Sequence, residues 1–269
     1  MAPRARASVR FSLLVLAGCL AAAASPRPVQ TNPSSAGLEA FLDRAAERFK
    51  TLADLKNWSA KVVSVRTEMD RNWAPETVTT VKKTVIFTDG DRDETILEAV
   101  ETKNGRTRDI TQAVAEETRK NLEKERRRRA EEAVRPASGP RPSARMALDE
   151  ILPFSAKKRP EYVFTRIEGA PGDGTPALVF DVASKVKDDE HWIGRFWFDP
   201  ETADLRRAEI KPAEMPSFVK EIEIGVSFTT LDSGPLALKS FRIRINAGFF
   251  LKRVRQIVEE VYSEHTVRD

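Results

Sequence analysis

In two stretches of the C-terminal half, apolar and polar residues alternate without a break. Ile222, Ile224, Val226 and Phe228 alternate with Glu221, Glu223, Gly225 and Ser227; Phe241, Ile243 and Ile245 alternate with Ser240, Arg242, Arg244 and Asn246. A period of two puts one set on each side of a strand, so these segments have a greasy face and a wet face, the pattern of an antiparallel sheet covered on one side. The chain carries one cysteine, Cys19, so no internal disulfide can hold such a sheet together. A hydrophobic core and the sheet ladder must do so.

The same period runs through much of the chain. Residues 58–69, 77–88 and 92–103 read as a three-strand meander, joined at Asp89 and Gly90 and closed by Asn104 and Gly105, a two-residue hairpin signal. After Pro160 a longer series reads as strands over 161–168, 176–187, 191–199, 205–211, 219–231, 238–246 and 250–267. About ten strands in one sheet must twist and curl, and Gly194, Gly225 and Gly248 are places where curling is sterically easy. Two or three helices interrupt them. Leu38, Phe41, Leu42, Ala45, Phe49 and Leu52 form the stripe of an amphipathic helix of about four turns. Thr111 can cap a second helix that runs through Arg126, Arg127, Arg128 and Arg129 until Pro136, Gly139, Pro140 and Pro142 stop it. That helix has few apolar residues after Leu122. A short apolar element follows at Met146, Leu148, Ile151, Leu152 and Phe154. The predicted class is α+β, a curved antiparallel sheet with helices on its hollow side.

The first residues read as an export signal. Arg4, Arg6 and Arg10 precede an apolar stretch from Phe11 to Ala24 that is too short to span a bilayer, which takes about 20 residues. Two cuts compete. Leu16, Ala17, Gly18 and Cys19 resemble a bacterial lipoprotein signal, which would remove residues 1–18 and acylate Cys19. Ala22 and Ala24 offer an ordinary cut that would remove residues 1–24. Residues 19–37, rich in proline, serine and alanine, read as a flexible tether. The remaining 38–269 are expected to form a single domain, with the basic helix and proline-rich loop at about 111–145 as an insertion. Removing residues 1–18 takes three arginines and no acid, so the net charge falls from +4 to +1 and gives no reason to expect a nucleic acid partner.

Catalytic chemistry is thinly supplied. The two histidines, His191 and His265, have no second histidine at metal-binding spacing, and there is no nucleophile elbow or phosphate-binding glycine loop. Asp188, Asp189, Glu190 and His191 could hold a divalent ion, but the same residues make a charged turn. The expectation is no enzyme, no cofactor and no metal. Arg126 to Arg129, and the aromatic pair Phe249 and Phe250 beside Lys252, Arg253 and Arg255, are candidates for contact with an anionic membrane or a partner protein. Each also has a plain reading, as a solvated helix face or as packing at a sheet edge.

One segment resembles a known family. Gly194, Arg195, Phe196, Trp197, Phe198, Asp199, Pro200, Glu201 and Thr202, followed by Leu205, Arg206, Arg207, Ala208 and Glu209, are similar to a hairpin of the LolA/LolB-like superfamily of periplasmic lipoprotein carriers and receptors. The order of elements from 38 to 267 is similar too. The resemblance implies an open half-barrel sheet, helices as a lid and an apolar cavity for acyl chains. Its wall would be Phe180, Trp192, Phe196, Phe198, Ile222, Ile224, Phe228, Phe241 and Ile243. The function it implies is a non-enzymatic carrier or membrane-anchored acceptor of lipid or lipoprotein acyl chains, periplasmic, with the outer membrane favoured by Leu20 after Cys19. The alternative is an interaction or sensor module whose interior is filled by its own side chains, docking an envelope protein.

Overall fold

Among the described residues, eleven antiparallel strands make one curved sheet that does not close on itself. The computed structural model describes residues 35–55, 57–88, 91–134, 153–168, 176–249 and 252–268. Cys19, the turn Asp89–Gly90, the proline-rich exit of the second helix, Met146 to Leu152 and Phe250 lie outside them, as do the side chains of Arg129, Phe249 and Lys252. In chain order the elements are α1 (Ser35–Asp54), β1 (Trp58–Met69), β2 (Pro75–Thr88), β3 (Asp91–Lys103), β4 (Arg106–Asp109), α2 (Thr111–Val134), a 3-10 turn (Arg159–Glu161), β5 (Tyr162–Ile167), β6 (Leu178–Ser184), β7 (Trp192–Phe198), β8 (Leu205–Pro212), β9 (Val219–Thr230), β10 (Leu236–Phe249) and β11 (Lys252–Val267).

The strands lie in the order β4, β3, β2, β1, β11, β10, β9, β8, β7, β6, β5. Two meanders are thus sewn together where the first strand meets the last, from Trp58 opposite Val267 to Glu68 opposite Gln256. One edge is the four-residue β4, polar throughout and exposed, which blunts it against strand addition. The sequence reading missed β4, because Arg-Thr-Arg-Asp has no apolar alternation. It did identify its turn: Lys103 pairs with Arg106 across Asn104 and Gly105, whose φ angles of 51° and 72° are those of the predicted tight hairpin.

Register carries one face across the whole sheet. Phe180, Phe196, Ala208, Val226, Phe241, Glu260, Ser64, Val81 and Ala99 stand opposite one another in turn from β6 to β3. This inner face is aromatic at the β6–β7 end, and from β11 onward it carries charged side chains set among buried Val62, Val85 and Ala99. Gly194 in β7 lets two strands approach closely: a Cβ there would sit 2.0 Å from the carbonyl oxygen of Glu209 in β8, and φ is +145°.

Helix α1 covers the aromatic end. Its predicted stripe is the buried one: Phe41, Leu42, Ala45 and Phe49 are in the core, with Leu38 and Leu52 at its margin. Polar contacts tie down both ends. Arg159 reaches from the 3-10 turn to Glu39 (2.5 Å) and Asp43 (2.8 Å), while Arg48 pairs with Asp204 and donates to the carbonyl of Gly234 (3.0 Å). Helix α2 lies along β3 and is solvated over most of its surface, as its composition predicts. Its cap differs from expectation. The Thr111 hydroxyl accepts the amide of Ala99 in β3 (2.9 Å), and Asp109 instead accepts the amide of Thr111 (2.8 Å). The helix start is thereby stitched to the sheet.

Candidate functional site

The inner face divides into three zones, and the residues singled out as a cavity wall fall in two of them. Phe180, Phe196, Phe198 and Phe228 lie in the first, at most 8% exposed. Three of the partners that close over them, Phe41 and Phe49 of α1 and Phe154, come from outside the sheet. Phe41 meets Phe198 edge-on at 5.6 Å and Phe180 at 6.0 Å; Phe49 meets Phe228 at 5.6 Å; Phe154 meets Phe196 at 5.6 Å and Phe198 at 5.5 Å. These are favourable tilted and edge-to-face geometries, worth about 0.5–1.5 kcal/mol per pair beyond burial. With α1 in place the aromatic zone is a packed core. Phe154 is a wall residue that the sequence reading placed only in a short apolar element.

The second zone is a strip of partly exposed side chains beside that core. Trp192, Ile224 and Val226 pack at the core margin. Beyond it stand Ile222, Phe241, Ile243 and Ile245, joined by Val258 of β11. Register makes the strip continuous: Val226 faces Phe241, Ile224 faces Ile243, Ile222 faces Ile245, and Ile243 faces Val258.

The third zone is charged. Lys83 of β2, itself buried, lies 3.0 Å from Glu94 of β3 and 3.4 Å from Glu260 of β11. Arg92 pairs with the same Glu94, and the Tyr262 hydroxyl donates to Glu260 (2.7 Å). Burial pushes the Glu260 carboxyl up, but the Tyr262 hydroxyl and Lys83 outweigh it, so Glu260 ionises below its ordinary value. Tyr262 moves the other way: burial and then the Glu260 charge raise its phenol well above the ordinary range, so it stays a donor. This network was not read from the sequence. The inward phase of β11, Val254, Gln256, Val258, Glu260 and Tyr262, carried its signal.

The charged turn Asp188 to His191 has a defined structure. One oxygen of Asp188 accepts the amides of Glu190 (3.0 Å) and His191 (2.8 Å) and lies 2.6 Å from His191 Nδ1. His191 Nε2 is 2.7 Å from Glu161, thirty residues away and invisible to local pattern. Both ring nitrogens are thus engaged, while Asp189 and Glu190 are exposed.

Asp199 organises the hairpin that carries the resemblance. It accepts the amides of Glu201 (2.8 Å) and Thr202 (2.9 Å) and pairs with Arg206, which accounts for the Asp-Pro-Glu-Thr turn and its returning base. Buried Asp204, not singled out beforehand, takes Arg48 from α1 and the Thr230 hydroxyl (2.9 Å). On α2, Arg126 pairs with Asp93 (2.7 Å) and Arg128 with Glu125 (2.8 Å), and Arg127 is exposed. Two cavities have polar linings: one of about 300 Å³ beside Asp199, Asp204, Arg206 and Lys239, and one of about 390 Å³ between α2 and β3 beside Arg92, Glu94 and Arg126.

No protein-family model matches the chain, and neither does any curated protein. Among solved structures it is similar to a LolA superfamily protein from Nitrosomonas europaea, at 12% identity over 86% of this chain and 93% of that one, with a TM-score of 0.34. An outer membrane lipoprotein-sorting protein domain from Vibrio parahaemolyticus gives 9% identity over 84% and 91%, with a TM-score of 0.33. The MucA/MucB complex of Pseudomonas aeruginosa gives 10% over 84% and 93%, with a TM-score of 0.25. At TM-scores this low, nothing about function is carried across.

Proposed function

We propose that this is a non-enzymatic binding protein of the bacterial cell envelope, exported by its N-terminal signal, that lays an acyl chain of a lipid or lipoprotein along its inner face. The observation that supports this best is the strip Ile222, Ile224, Phe241 and Ile243, which continues the apolar face past the edge of the closed core and stays partly open. Acylated Cys19 would make the protein a fixed acceptor; a cut before Ser25 would make it a soluble carrier.

Energetics set the mode of binding. Complete shelter of about fifteen methylenes is worth on the order of 12 kcal/mol at about 0.8 each. A strip covers one side of the chain, so roughly half is available, and association itself costs at least about 4 kcal/mol. Binding with α1 in place is therefore weak, and tight binding requires the chain to enter between α1 and the aromatic zone. Titration with a fluorescent fatty acid tests this. The expected result is saturable binding that Ile243→Glu weakens by tenfold or more while the circular dichroism spectrum is kept. Absence of saturable binding to the parent protein contradicts it.

The second reading is an interaction module with a filled interior, and the closure of Phe180, Phe196, Phe198 and Phe228 on α1 and Phe154 favours it. Under that reading Arg126 to Arg129 and the exposed outer surface dock an envelope protein. Replacing those arginines with serine would then abolish capture of that partner and leave the fatty acid titration silent throughout.

A further inference from the structure

His191 is 6% exposed, at a place where the 3-10 turn, the start of β5, the turn before β7 and the end of β8 meet. Its two ring nitrogens contact carboxylates from different elements, Asp188 at 2.6 Å and Glu161 at 2.7 Å. An ionised carboxylate only accepts, so both nitrogens must carry protons for both contacts to be hydrogen bonds. The pair therefore holds an imidazolium. Burial opposes that charge, Glu161 and Asp188 outweigh it, and His191 ionises above the ordinary imidazole value. Lys158, in the residues leading to the 3-10 turn, works weakly against it, and the Tyr162 ring lies 5.5 Å away. Just past β8 the chain contributes backbone: the amide of Ala213 donates to the His191 carbonyl (2.7 Å), and that of Glu214 to the Asp188 carbonyl (2.8 Å). From the end of β6, Lys185 donates its amide to the Glu161 carbonyl (2.8 Å) and its ammonium to the Pro160 carbonyl (2.7 Å).

The turn that ends in Glu161 also carries the anchor of α1. Arg159, two residues earlier, binds Glu39 and Asp43 and donates to the Phe154 carbonyl (2.8 Å). Backbone bonds make this stretch one unit: Lys158 and Arg159 donate to the Ser155 carbonyl (3.0 and 2.9 Å), and Glu161 to that of Lys158 (2.9 Å).

We propose that the protonation of His191 sets how firmly the N-terminal half of α1 is held on the sheet. Charged His191 pins Glu161, and with it the turn that presents Arg159 to Glu39 and Asp43. When the ring loses a proton, one nitrogen keeps its bond and the other turns a lone pair toward a carboxylate, which repels it. The turn is then released on one side. The C-terminal half of α1 has separate ties through Arg48 and through the Thr51 hydroxyl, which accepts the amide of Leu236 (3.3 Å), so loosening is confined to residues 38–45. The inference concerns the attachment of α1 and stands whether or not the strip takes hydrocarbon.

The test needs no ligand. His191 is titrated by NMR from pH 5.5 to 9, and amide hydrogen exchange of α1, corrected for its intrinsic pH dependence, is followed over the same range. The expected result is that exchange at residues 38–45 rises about tenfold, the effect of one lost charge-assisted hydrogen bond, with the midpoint of the His191 titration. His191→Gln should abolish the rise and His265→Gln should not. Glu161→Gln gives an independent readout, because both midpoints should fall together. A His191 titration without change in α1, a rise that survives His191→Gln, or midpoints that separate in Glu161→Gln would overturn the proposal.

Discussion

Phe241 in β10 stands directly opposite Glu260 in β11, and at this pair the apolar strip on the inner face meets a charged network set among buried Val62, Val85 and Ala99. On one side lie the aromatic core and the strip; on the other, Lys83, Glu94, Arg92 and Tyr262. The pair also bounds a ligand. An acyl chain running past Phe241 meets a paired, largely buried ion network that cannot be desolvated further without cost, so the apolar path ends there.

Removing Arg159 should loosen α1 measurably. Its side chain is mostly buried and serves two carboxylates and a carbonyl, whereas Glu39 and Asp43 are well exposed and can return to water. Arg159→Ala is expected to lower stability by about 2 kcal/mol in urea unfolding, with Glu39→Gln and Asp43→Asn each costing less than half of that.

The other tie is more deeply set. Asp204 is 5% exposed and accepts from Arg48 and Thr230. Asp204→Ala removes the shared acceptor, but Thr230 is exposed and Arg48 keeps the Gly234 carbonyl, so a loss of about 2 kcal/mol is expected by the same assay. Arg48→Met, which keeps the packed stem, should cost less in the Asp204→Ala background than alone, as a double-mutant cycle would read.

Gly194 and Gly225 separate backbone constraint from simple curvature. Gly194→Ala drives a Cβ into the Glu209 carbonyl at a positive φ and should cost on the order of 4 kcal/mol or prevent folding. At Gly225 the nearest atom to a new Cβ is the Cβ of Arg242 at 3.9 Å, so Gly225→Ala should be nearly neutral. Thermal unfolding of the two variants compares them directly.

Acid should act through Asp199. Burial raises its pKa, but the amides of Thr202 and Glu201 and then Arg206 outweigh that and hold it below the ordinary carboxylate value. The folded value lies under the unfolded one, so the stability this group contributes is present above about pH 4 and is lost as pH falls through the folded value. Urea midpoints between pH 5 and pH 2.5 should therefore drop less in Asp199→Asn than in the parent. His191 has the opposite sign: its contribution is complete below about pH 6.5 and is lost as pH rises through its elevated value.

Most of the sheet was legible because its signals are local. The strand predicted over 58–69 is β1, the helix from Thr111 is α2, and Asn104–Gly105 form the expected turn. The aromatic residues alternate correctly, so Phe180, Phe196 and Phe228 all point to the same side. What local pattern does not contain is the partner across a long loop. Nothing near Phe196 announces Phe154, nothing near His191 announces Glu161, and nothing near Asp204 announces Arg48, 156 residues away. For that reason a greasy face was readable and its occupant was not: an open cavity and a face plugged by α1 have the same alternation.

Native mass spectrometry of the protein purified without detergent from its own envelope measures that occupant most directly. The account predicts a population heavier by one acyl-bearing molecule, identifiable after solvent extraction and absent from the Ile243→Glu variant. A bare polypeptide mass in both proteins, unchanged after incubation with excess fatty acid, would contradict it.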